Sequence, residues 1–155
     1  MRYLVVAHRT ADSAELMDRL LALAAADPPA EFVLLVPATP ASYLDEVAEG
    51  RVRPASVIAA ERASRIRERM LERGLKLASA RVGAWDPMQA IDDELRGETY
   101  SAIVISTLPP GISAWLRRDV PARLARRYPQ LEIVHVVAGH LPAQPAPGES
   151  PVARR

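Results

Sequence analysis

Five short apolar runs, residues 3–7, 32–36, 75–82, 102–105 and 131–137, alternate with four stretches of helical spacing, and this alternation narrows the possible folds more than any other feature of the chain. Strands joined by helical crossovers pair in parallel and are covered on both faces, which is why Leu4-Val5-Val6 and Ile103-Val104-Ile105 carry no polar alternation. Right-handed crossovers then allow the order 3-2-1-4-5. The expected fold class is α/β, a five-stranded parallel doubly wound sheet with helices on both faces. Residues 1–137 form its single domain, and the proline-rich 138–155 form a flexible tail.

The helical stretches carry their own punctuation. Thr10 or Asp12 reads as the first N-cap, with Glu15 closing a capping box and Leu16, Leu20 and Leu23 on one face. Residues 55–73 place Ala59, Ala63, Ile66 and Met70 at helical spacing, with Gly74 as a left-handed stop. Asp86-Pro87 is a cap followed by a first-turn proline, and Met88, Ile91 and Leu95 point inward. The fourth stretch is interrupted by Asp119-Val120-Pro121, which predicts one turn near residues 113–116 and a fresh helix capped by Asp119. Tyr43, Leu44 and Val47 suggest a short helix in a flap over residues 37–55.

Composition removes several function classes. A chain of 155 residues with no cysteine has no thiol nucleophile and no Cys/His zinc site, and its length suffices for a core without metal or disulfide. Residues 1–137 balance 18 basic against 18 acidic side chains, so no positive field favours nucleic acid. The longest apolar run, residues 20–26, is far below the roughly 18 residues of a membrane helix, and no leader opens the chain, so a cytoplasmic location without membrane contact is expected. A P-loop is absent, since Lys76 is the single lysine and begins a strand. His8, His135 and His140 lack metal-ligand spacing, so no metal is expected.

In this order the chain reverses between the first and fourth strands, and a ligand crevice lies beyond their carboxyl ends. The sequence places His8, Arg9 and Thr10 there beside Ser106, Thr107 and the Pro109-Pro110-Gly111 loop. Candidate ligand-binding residues are therefore His8, Arg9, Thr10, Ser106, Thr107, Gly111 and Ser113, with Arg117 and Arg118 as bidentate anion ligands. No nucleophile elbow surrounds the hydroxyls, so no residue is assigned to catalysis beyond a weak candidate acid/base in His8. The Arg-rich stretch from Arg62 to Arg73, interleaved with Glu61, Glu68 and Glu72, reads as a solvated helix face. Five arginines within residues 112–128 and five acids within 86–98 predict complementary helices packed side by side.

The residues after the fourth strand, Ser106-Thr107-Leu108-Pro109-Pro110-Gly111, together with this strand pattern over residues 2–137, resemble a universal stress protein domain, in a divergent form similar to small actinobacterial members. The resemblance implies an adenine nucleotide alpha hydrolase-like fold, a homodimer through the edge strand at 131–137, a stress-response role and ATP or another nucleotide as ligand. Of the family's G-x2-G-x9-G-[ST] phosphate signature only Gly111 finds a match. Ser106 or Thr107 replaces the first glycine, Arg118-Asp119 replaces the last pair, and His8 stands where nucleotide-binding members tend to carry aspartate. Pro109 and Pro110 supply no N–H donor and Asp119 opposes phosphate, so standard ATP binding is expected to be weak. Three functions stay open: a non-catalytic regulatory module binding a small anionic or nucleotide-like ligand, a ligand-free homodimeric interaction protein, and a hydrolase acting on a phosphorylated or adenylated substrate.

Overall fold

The computed structural model describes residues 1–39, 54–110, 115 and 119–139. Its strands are β1 (Arg2–Val6), β2 (Glu31–Pro37), β3 (Leu77–Gly83), β4 (Ala102–Thr107) and β5 (Glu132–Val137). They form one parallel sheet in the order β3-β2-β1-β4-β5. Helices α1 (Ala14–Ala26), α2 (Ala55–Glu72), α3 (Pro87–Gly97) and α4 (Val120–Arg127) make the crossovers. The expected fold class is thus the observed one.

Side-chain alternation along the strands builds two cores. Tyr3, Val5, Phe32, Leu34 and Val104 meet Leu16 and Leu20 of α1 and Ala59, Ala63, Ile66 and Met70 of α2 on one face. Leu4, Val6, Leu35, Ile103 and Ile105 meet Met88 and Ile91 of α3 and Val120 and Leu124 of α4 on the other. Burial of a Leu or Ile of this kind is worth about 2 kcal/mol, so neither face is dispensable.

Gly74 takes φ +77 and ends α2 as the spacing predicts. Its N–H donates to the Leu71 carbonyl while that of Leu75 reaches back to Met70, the two bonds of a Schellman motif. Leu75 is buried there and β3 begins two residues later than its apolar run.

Two helix starts differ from expectation. Tight turns closed by Ala11 N–H to His8 O and Ser13 N–H to Thr10 O carry the chain through residues 8–13. The N-cap of α1 is therefore Ser13, which accepts from the Leu16 N–H, rather than Thr10 or Asp12. Glu15 has no capping box to close and accepts the Gly139 N–H instead. Asp119 does occupy the N-cap position of α4, but in the left-handed region at φ 55, and its carboxylate turns to Arg126 instead of capping.

The complementary helices meet as predicted at Arg127 and Asp92, 3.0 Å apart, with the Tyr128 hydroxyl also donating to Asp92. Past β5, Ala138 is fully buried and donates to the Thr107 carbonyl, so the first residues assigned to the tail belong to the packed body. The expected flap helix and the remainder of the tail lie outside the described residues, as does the turn near 113–116 except for Trp115, which is helical and buried.

Candidate site at the strand switch point

The β1–β4 ladder ends with Val6 opposite Ile105, so the chain leaves β1 through Ala7 and His8 beside Ser106 and Thr107. The strands diverge at this point, β1 feeding α1 on one face and β4 feeding α4 on the other, and the crevice of a doubly wound sheet opens there.

His8 is 7% exposed, Thr10 2% and Ser106 1%. His8 Nε2, Thr10 Oγ1 and Ser106 Oγ are each buried with no hydrogen-bond partner among the described residues. A buried polar atom left unpaired costs about 1–3 kcal/mol; three such atoms belong to residues at or just past the carboxyl ends of β1 and β4, and another, Ser79 Oγ, lies within β3. Arg9 is exposed at the rim.

His8 Nδ1 is engaged, 3.0 Å from the Arg62 guanidinium on α2. A guanidinium can only donate, so Nδ1 accepts and the neutral ring carries its proton on Nε2. Burial, then the charges of Arg62 and Arg9, push the imidazole down to about 4, so it is neutral near pH 7. Here Nε2–H is an obligate donor, and the two hydroxyls can each donate as well.

Thr107 follows a different path. Strand alternation turns its hydroxyl to the face opposite Ser106, where Oγ1 lies 2.8 Å from His135 Nε2. His8, Thr10 and Ser106 thus follow or end β1 and β4 with buried, unpaired polar atoms, while Thr107 is engaged on the other face. Gly111, Ser113, Arg117 and Arg118 lie outside the described residues.

Sequence reasoning missed Arg62. The Arg-rich face of α2 is only partly solvated: Arg62 is half-buried against His8, Arg69 donates to the Asp12 backbone and carboxylate, and Arg65 lies 3.7 Å from the same carboxylate. Arg62 sits three residues after buried Ala59 and four before buried Ile66, in the half of α2 nearer the strand carboxyl ends. Arg67 flanks the same apolar stripe, four residues after Ala63 and three before Met70, so it is the place in the half of α2 nearer the strand carboxyl ends that separates Arg62 from Arg67 and Arg73. A shallow open depression of about 620 Å³ touches Ser56, Ala60 and Ser64 on the outer flank of α2. It contains none of the orphaned groups at the ends of β1 and β4. Among the described residues no three acidic or histidine side chains converge as metal ligands, and no helix is long and apolar enough to cross a membrane.

No protein-family model matches the chain, and no curated protein matches it. Among solved structures it is similar to a universal stress protein in complex with cAMP, at 19% identity and a TM-score of 0.49, over 90% of this chain and 98% of the other.

Proposed function

We propose that this chain is a non-catalytic regulatory module of universal stress protein type that holds a small anionic or nucleotide-like ligand beyond the carboxyl ends of β1 and β4. The observation that carries the reading is the set of three buried, unpartnered polar atoms, His8 Nε2, Thr10 Oγ1 and Ser106 Oγ, at the switch point of the sheet. Ligand oxygens satisfying them would recover the desolvation cost they now carry. A catalytic role for His8 finds less support, because an imidazole pushed down to about 4 is a weak base at neutral pH and holds no readily transferred proton. Arg117 and Arg118, which lie outside the described residues, stay in this proposal as candidate ligands for the anion.

A thermal-shift screen with inorganic phosphate, AMP, cAMP, ATP and adenosine tests the reading, since a ligand of the native state raises the melting temperature. A dose-dependent rise with at least one phosphate compound is expected, displaced to about tenfold higher concentration in Ser106→Val. No rise with any of them at millimolar concentration would favour a second reading, a homodimeric interaction protein. That alternative draws on β5, an edge strand with a half-buried Ile133 and a 40% exposed Val137. A dimer by light scattering that Val137→Lys dissociates would support it.

A further inference from the structure

We propose that Arg62 sets the hydrogen-bonding polarity of the crevice: by donating to His8 Nδ1 it holds His8 as the Nε2–H tautomer, so that the pocket takes an oxyanion, phosphoryl or carboxylate, and rejects a group that brings its own donors. This rests on the reading of the crevice as a ligand site. The geometry behind it is local and directional. Nδ1 is 3.0 Å from a guanidinium nitrogen, which has no lone pair to offer, and this fixes the ring proton on the opposite nitrogen. Nε2 is buried without a partner at the end of β1, as are the hydroxyl oxygens of Thr10, in the turns that follow it, and Ser106, at the end of the neighbouring β4.

A hydroxyl can turn to suit either kind of ligand atom, but Nε2–H cannot, and it therefore decides what the crevice tolerates. An amine or amide N–H placed against it would leave two donors facing each other in a buried space, a mismatch of the sort that separates ligands more sharply than lost apolar contact. Oxygen of a phosphoryl or carboxylate group accepts from all three. Arg62 acts through His8, as a positioning residue whose own guanidinium need not touch the ligand. Lysine at the same place would still donate; methionine would fill the space and leave the tautomer free.

Nitrogen-15 NMR of the histidine side chains reads this without any ligand present, with the His8 signal assigned by its loss in His8→Gln. Wild type and Arg62→Lys are expected to show the Nε2–H tautomer, and Arg62→Met a mixture of tautomers. An Nδ1–H ring in the wild type, or an Arg62→Met ring indistinguishable from it, would overturn the role of Arg62. Inorganic phosphate and acetate are then titrated in, separating the two oxyanion sources, with methylammonium as the donor-bearing control. A saturable shift of Nε2 with phosphate or acetate and none with methylammonium is expected. A response to methylammonium equal to that of the anions would overturn the polarity argument. The Nε2–H tautomer with no response to either anion would refute the ligand reading of the crevice and leave the tautomer assignment standing.

Discussion

Thr107 Oγ1 and His135 Nε2 lie 2.8 Å apart, joining β4 to β5 on the face away from Ser106. Two adjacent hydroxyls at the end of one strand therefore have opposite fates: that of Thr107 has a partner and that of Ser106 has none. Thr107→Val is expected to cost about 1 kcal/mol of stability and to leave the affinity for phosphate compounds within about twofold. Ser106→Val should lower that affinity about tenfold, the loss of one buried hydrogen bond, with little cost to folding because no protein contact is broken. Denaturant melts and calorimetric titrations of the two variants check both halves.

Acid should weaken the fold through His8. The unfolded chain takes up a proton near the ordinary value of 6.5, while the folded protein resists it until about 4, because the ring is buried and faces Arg62 and Arg9. Across that window the unfolded state binds more protons, so stability is complete above about pH 6.5 and falls as pH drops toward 4. A displacement of this size is worth about 3 kcal/mol. His135, held below its usual value by burial, acts in the same direction. Urea melts at pH 7.5 and pH 5 should show a smaller difference for His8→Gln than for the wild type.

How much of this was legible beforehand depends on whether the information was local. Val104 and its neighbours announce β4 because a strand covered on both faces has nowhere for a polar residue, and Gly74 announces the end of α2 because its φ is costly for any other residue. Ser13 is illegible as a cap because the turns through residues 8–13 are made by backbone bonds that no side chain signals. The pairing of Arg62 with His8 joins residues 54 apart, and an arginine interleaved with glutamates looks solvated until the packing of α2 is known. The place of the crevice follows from topology, but which hydroxyls there stay unpaired follows from strand register and the packing of neighbouring elements, which no local run of residues encodes.

Gly83 illustrates a constraint of the same non-local kind. A Cβ added there would lie 2.6 Å from the Ala90 Cβ and 3.0 Å from Leu35 Cδ1, so β3 and α3 approach through this glycine. Gly83→Ala should destabilise the protein by about 1–3 kcal/mol through overpacking, and thermal melts of the variant would reveal it. Pairing it with Ala90→Gly should recover much of the loss, since the closest opposing atom is then removed.

Glu94 is nearly buried and accepts from both Arg81, at 2.8 Å, and the Tyr100 hydroxyl, at 2.5 Å. Burial and this bond hold the phenol well above its usual range. Removing the carboxylate strands the buried Tyr100 hydroxyl and takes from Arg81 its shorter contact, leaving it Glu98 at 3.6 Å and solvent, whereas Tyr100→Phe removes one donor and leaves the Arg81–Glu94 pair in place. Glu94→Ala is therefore expected to cost about 3 kcal/mol and Tyr100→Phe about 1–2 kcal/mol, measured as shifts in the urea midpoint at unchanged slope.

If the orphaned groups at the ends of β1 and β4 form a binding site, amide chemical-shift mapping will locate a ligand there. Inorganic phosphate and AMP titrated into nitrogen-15-labelled protein should produce saturable shifts concentrated at His8, Arg9, Thr10 and Ala11 and at Ser106, with saturation displaced to about tenfold higher concentration in Ser106→Val. Saturable shifts confined to the outer flank of α2 around Ser56, Ala60 and Ser64, or none at millimolar concentration of either compound, would contradict it.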